Sequence, residues 1–130
     1  MVIVQLLVKQ RKLIRSPFNL NFLPDQVSAY IRKTLQTEGV QLKLSPSRKS
    51  KLGDYRFNRL TGIHQISVNI DLEEEEFFVT YLHELAHKKC FDRYANKVAP
   101  HGMEWKLEFQ KLLLDAKENL DLSEHMEQEI

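Results

Sequence analysis

The stretch IHQISVNIDLEEEEFFVTYLHELAH, residues 63–87, changes its hydrophobic period partway along, and that change sets the fold class. From Ile63 to Ile70, apolar Ile66, Val68 and Ile70 alternate with Gln65, Ser67 and Asn69, the period-two pattern of a half-buried strand. Asn69 or Asp71 then offers a helix cap, and Glu73 to Glu76 place negative charge where the dipole of a helix N-terminus favours it. Phe77, Phe78, Val79, Tyr81, Leu82, Leu85 and Ala86 follow, with apolar residues on more than one side. That distribution predicts a central helix largely covered by its neighbours.

Working outward, Asp54 to Arg59 reads as a second strand, joined to Ile63–Ile70 through Leu60-Thr61-Gly62. Val40 to Leu44 alternates as a third, and Ser45 to Ser50 reads as a turn or loop. Before it, Val27, Tyr30, Ile31 and Leu35 have the spacing of one helix face, starting after Pro24 and Asp25 and stopping at Gly39. Downstream, a polar stretch from Arg93 to Pro100 interrupts the helical pattern. A last helix starts near His101 and carries Trp105, Leu107, Phe109, Leu112, Leu113 and Leu114. The order is an arm, a helix, about three strands and two long helices, which is an α+β fold. We read residues 1–130 as one domain, with 1–24 as an N-terminal arm and 115–130 as an acidic tail.

A chain of 130 residues suits one hydrophobic core, and 42% apolar with 28% charged residues is an ordinary globular composition. No apolar run approaches the roughly 20 residues of a membrane-spanning helix. The longest, Val2 to Val8, is broken by Gln5 and followed by Lys9, Arg11, Lys12 and Arg15, the reverse of a signal peptide's order. It is expected to be a strand or an ordered arm, in a cytoplasmic protein with no membrane partner. Cys90 is the only cysteine, so any metal must be held by His and carboxylate groups. Basic residues cluster between positions 43 and 59, and Arg48, Lys49, Lys51, Arg56 and Arg59 are candidate nucleic-acid contacts. Tyr55 and Phe57 flank Arg56 and offer rings that can stack on unpaired bases; the alternative is a solvated hairpin face.

His83-Glu84-Leu85-Ala86-His87 is an HExxH motif. Positions i and i+4 share a helix face, so both imidazoles can reach one cation, with Zn²⁺ preferring neutral imidazole. Glu84 is offset around the helix, placed to act as a general base rather than a ligand. A third ligand is needed. His101, between Pro100 and Gly102, is the first candidate, at the start of the next helix, and its alternative is a simple capping role. Glu104, Asp92 and Asp115 could complete such a site instead, and His64 and His125 are weaker candidates. Trp105 and Phe109 are expected to pack the last helix on the motif helix, Tyr81 to lie in the core, and Cys90 to be a small buried hydrophobe.

The motif, together with Pro100-His101-Gly102-Met103-Glu104-Trp105-Lys106, resembles the SprT-like family of zinc metallopeptidases, whose pattern is HExxH followed by an HGxxW/F-type segment. Lys51-Leu52-Gly53-Asp54-Tyr55-Arg56 with Ile63 to Ile70 resembles the strand segment before that family's motif helix, so the resemblance covers roughly residues 25 to 114. It implies a compact zincin-like core, His83, His87 and His101 as ligands to one zinc ion, and Glu84 as the catalytic carboxylate. Family members in eukaryotes cleave proteins crosslinked to DNA. Many members also carry a C-terminal zinc ribbon built from cysteine pairs, and this sequence departs from that pattern.

The sequence therefore leads us to expect a zinc endopeptidase acting on a polypeptide, with DNA as a candidate partner through substrate proteins associated with it. Two rivals share these residues. One is a metal-dependent hydrolase of a non-peptide amide. The other is a non-catalytic zinc-containing module whose basic hairpin grips nucleic acid.

Overall fold

The computed structural model describes residues 19–120, and the apolar run Val2–Val8 and His125 lie outside them. Among the described residues the chain forms α1 (Asp25–Glu38), β1 (Val40–Ser45), β2 (Gly53–Asn58), β3 (Ile63–Asn69), α2 (Glu74–Tyr94) and α3 (Met103–Asn119). The architecture is α+β, as the periodicity predicts. Helix α1 ends where Gly39 takes φ 65, a left-handed cap that glycine adopts without a Cβ penalty.

The three strands form one sheet in the order β1-β3-β2. β3 pairs in parallel with β1 (Val40 opposite His64, Leu44 opposite Val68) and antiparallel with β2 (Gly53 opposite Val68, Phe57 opposite His64). β3 is therefore central, and its C-terminal half, Ile66 to Asn69, is fully buried. The linker from β1 to β2 has to cross the end of β3, and hydrogen bonds fix that crossing. The Asn69 amide N–H donates to the Leu52 carbonyl at 2.9 Å, and the Ile70 N–H donates to that of Ser45 at 2.8 Å. The Asn69 side chain donates to the Lys51 carbonyl and accepts from Arg48 Nε, both at 2.8 Å. Arg48 Nη1 also donates to Ser67 Oγ at 3.1 Å.

Asn69 is thus a clamp for the crossing loop and not the cap of α2. The residue before that helix is Glu73, which makes no side-chain cap bond, so the first turn relies on Glu74, Glu75 and Glu76 facing the helix dipole. Helix α2 lies at the centre of the molecule. Phe77, Phe78, Tyr81, Leu82, Leu85 and Ala86 have no exposed surface, as expected of a helix apolar on several sides. Helix α1 covers part of it through Val27, Tyr30 and Ile31, with the Tyr30 and Phe78 rings edge-to-face at 5.8 Å. The Tyr81 hydroxyl lies 2.6 Å from Thr34 Oγ1 of α1. Helix α3 covers another side with Trp105, Leu112 and Ala116. It continues to Asn119, through the first residues of the acidic stretch, and there Asp115 accepts a 2.6 Å hydrogen bond from the Tyr30 hydroxyl.

Because Asn69 is 1% exposed and holds the crossing loop from both sides, Asn69→Ala should cost about 2–3 kcal/mol in urea unfolding. Thr37→Ala, on the exposed face of α1, should stay within about 0.5 kcal/mol of the parent. Equal costs at the two positions would refute the clamp.

Candidate metal centre

Helix α2 carries His83 and His87 one turn apart, and the start of α3 returns His101 beside them. One ring nitrogen from each lies within 4.8 Å of the others, and His101 Nε2 is 3.0 Å from Nε2 of both His83 and His87. The return depends on a tight turn over Ala99-Pro100-His101-Gly102. The Gly102 N–H donates to the Ala99 carbonyl at 3.1 Å, and His101 takes φ 60. Proline second and a positive φ third is the pattern of a type II turn, and histidine tolerates the left-handed region better than most side chains. His101 therefore stands just before α3, which begins at Met103, and not on the helix itself. Gly102 is needed for close packing, since a Cβ there would come 3.1 Å from the Ala99 carbonyl oxygen.

Trp105 lies beneath the three imidazoles. Its ring centroid is 4.6 Å from that of His83, 5.3 Å from His87 and 4.7 Å from His101, and it stacks on Phe109 at 5.0 Å. Its indole N–H donates to the His83 carbonyl at 3.3 Å, tying α3 to the histidine-bearing turn of α2. Trp105 does pack the two helices together, but it does so at the cluster itself.

The donor set fits a cation. A neutral imidazole nitrogen carries either one proton or one lone pair, so His101 Nε2 cannot make good hydrogen bonds to both neighbours at once. One shared ion satisfies all three nitrogens, and ligands at about 2.0–2.1 Å around a tetrahedral ion stand roughly 3.4 Å apart. Burial first, and then the neighbouring imidazoles, lower the pKa of His87 to about 4; burial and His101 also lower that of His83. Both rings are thereby kept neutral, the form that ligates metal.

Glu84 completes the cluster. It is 8% exposed, and Oε2 lies 3.8 Å from His83 Nε2. Burial pushes its carboxyl up to about 7, helped by Asp54 and opposed by Arg48 and Lys51. A glycine on β2 makes room for it: a Cβ at Gly53 would lie 2.7 Å from Thr80 Cγ2 and 3.1 Å from Glu84 Cγ. All four residues line a cleft of about 750 Å³ between β2, α2 and the loop leading to His101. Asp54 and Lys51 also line it; burial acts to raise the Asp54 carboxyl, but the hydrogen bonds and charges of Arg56 and Lys51 together hold it below its usual value.

The other candidates fall elsewhere. Asp92 pairs with Lys88 at 2.7 Å, Asp115 bonds Tyr30, and His64 Nδ1 is 2.6 Å from the Tyr55 hydroxyl. None of these, nor Glu104, joins the histidine cluster among the described residues. Of the basic residues, Arg48 is half-buried in the crossing loop. Lys51 and Arg56 pair with Asp54 at 3.3 and 2.6 Å, and Lys49 and Arg59 are exposed. Sequence reasoning passed over Gly53, Asp54 and Phe91 as site residues. Two signals were available, the shared face of Gly53, Tyr55 and Phe57 on β2 and the i+4 step from His87 to Phe91.

Two outcomes follow from this geometry. Zinc added to the purified apo-protein should change the emission of Trp105, the sole tryptophan. His101→Asn, which keeps the turn's backbone preference but removes the imidazole, should abolish the change and the bound metal. Retention of about one zinc by His101→Asn in elemental analysis would remove His101 from the site. At the end of α2, Ala95 adopts φ 53 and ψ −130, strained for any residue with a Cβ. Ala95→Gly should raise the unfolding free energy by about 1 kcal/mol, the reverse of the usual effect of glycine.

Among the described residues no helix is long and apolar enough to cross a membrane. No curated protein and no solved structure matches the chain at a significant level. A family model does: the one described as the SprT-like family matches residues 20–122, a span that includes every element of the fold and all four residues of the cluster. The chain belongs to the SprT-like family.

Proposed function

We propose that this protein is a zinc-dependent endopeptidase in which His83, His87 and His101 hold one metal ion and Glu84 is the general base. One observation carries the reading: three imidazole nitrogens converge at the wall of an open cleft, with a buried carboxylate 3.8 Å from one of them. A site whose only task is to brace the fold has no use for that carboxylate. Membership in the SprT-like family supports the same reading.

The histidines would hold the ion, which when bound supplies Lewis-acid polarisation of the scissile carbonyl. Glu84 accepts the proton of the attacking water as its oxygen bonds the carbonyl carbon. The same carboxyl then delivers that proton to the amine nitrogen as the C–N bond breaks. The raised affinity of Glu84 for protons suits it to both halves of this transfer. The close approach of β2 at Gly53 packs the strand against the Glu84 side chain, and a base must stay within hydrogen-bond reach of its proton to be effective.

The placement of the basic residues favours the peptidase over a nucleic-acid-binding module. Arg48 is used inside the fold, and Asp54 offsets both Lys51 and Arg56, which leaves Lys49 and Arg59 as the free positive charges of that set. Action on polypeptides associated with DNA, in the cytoplasm, is the extension of the proposal that these two residues would serve.

The test is hydrolysis of a denatured protein or unstructured peptide by the zinc-loaded chain. Glu84→Gln should lower kcat by about 10²–10⁴-fold while retaining the metal, and a chelator should abolish activity until zinc is restored. Full activity in metal-loaded Glu84→Gln would overturn the assignment of the base.

A further inference from the structure

The cleft is chemically mixed. Lys51 and Asp54, whose charges act on Glu84, share its lining with the uncharged side chains of Tyr55, Phe91, Val98 and Cys90. Phe91 follows His83 and His87 at successive i+4 steps, so it lies on the same face of α2, one turn and about 6 Å farther along the axis. It is half-buried, with one side available to the cleft. Its other contacts hold it in place: the Phe57 ring is 5.0 Å away, that of Tyr55 6.1 Å and that of His64 6.0 Å. Tyr55 is held in turn by its 2.6 Å contact with His64 Nδ1 and by near-parallel stacking on that ring. An aromatic wall already locked by its neighbours loses little freedom when an apolar group docks on it.

We propose that the Tyr55–Phe91–Val98 wall is a subsite that receives a large apolar side chain flanking the scissile bond, so that cleavage selects aromatic and long aliphatic residues there. This rests on the peptidase reading above and adds to it which polypeptides are cut. The distances agree: an extended peptide advances about 3.3–3.4 Å per residue, so a ring 6 Å beyond His87 meets a side chain within the first two positions from the bond under attack. The chemistry agrees too, since Tyr55, Phe91 and Val98 are uncharged and the carboxylate that acts on Tyr55, that of Asp92, is paired with Lys88 at 2.7 Å.

The experiment offers the zinc-loaded full chain a set of peptides identical except at the positions around one cut site, with products identified by mass spectrometry. Wild type should favour Phe, Tyr, Leu and Met over Ala at one flanking position. Phe91→Ala should lower the ratio of kcat/KM for the Phe peptide to that for the Ala peptide by about tenfold, chiefly through KM. Val98→Asp, at a half-buried position in the loop before His101, should shift the preference toward Lys and Arg. A wild type that cleaves without apolar preference, or a Phe91→Ala protein with an unaltered ratio, overturns the subsite.

Absence of any cleavage would instead be a failure of the peptidase reading, and a binding measurement then decides the subsite by itself. Metal-loaded Glu84→Gln should bind a fluorescent Phe peptide more tightly than its Ala analogue, and the added Phe91→Ala change should erase the difference. Equal binding of the two peptides overturns the proposal.

Discussion

Helix α2 is apolar around most of its circumference, and a helix of that kind is stable only when other elements cover it on several sides. The sheet, α1 and α3 meet that demand, and the position of every proposed site residue follows from how they do so. His83, Glu84 and His87 sit on the part of α2 that faces the seam between β2 and the loop into α3. There the covering is incomplete and a cleft remains. The opposite faces carry Phe78, Leu82 and Leu85 into the core, so the helix cannot rotate its histidines away without exposing buried apolar surface. Rigidity at the site is thus a consequence of core packing.

The same burial sets the electrostatics. Glu84 is desolvated in part because β2 approaches α2 at Gly53, where a Cβ would lie 2.7 Å from Thr80 Cγ2 and 3.1 Å from Glu84 Cγ. A carboxylate placed there is costly when ionised, which raises its pKa, and Arg48 and Lys51 return only part of the lost stabilisation. Arg48 can do so because the crossing loop fixes it against Asn69 and Ser67. A residue that reads in the sequence as part of a basic surface is therefore a brace of the sheet and a charge beside the site.

Local pattern carried the sequence reading a long way. The period change between Ile70 and Phe77 located β3 and α2, the Gly39 stop was correct, and the i+4 spacing put His83 and His87 on one face. What the pattern left out was long-range. Nothing in Val40–Leu44 says that it pairs in parallel with β3 across a crossing loop, because alternation encodes burial and not partners. Asn69 looked like a helix cap because Asn is favoured there, yet its two hydrogen bonds to the loop outweigh that local preference. Pro100-His101-Gly102 resembles a helix start by position, whereas proline before a residue that tolerates positive φ is also the signal of the turn formed there. Phe91 went unnoticed as a wall of the cleft because an aromatic on a buried helix reads as core until its neighbours are known.

The third histidine shows why the site needs the whole fold. His83 and His87 are paired by helix geometry alone and would remain so in an isolated helix. His101 reaches them only because α3 packs on α2, and Trp105 links that packing to the cluster by bonding the His83 carbonyl while its ring lies against all three imidazoles. The turn that aims His101 keeps a non-glycine residue at positive φ, and Ala95 at the end of α2 does the same within the same short connection. Two such residues between α2 and α3 store strain that a merely connecting loop would shed. The strain is held by the helix pair on either side, so the energy that orders the core also fixes the geometry of the cluster.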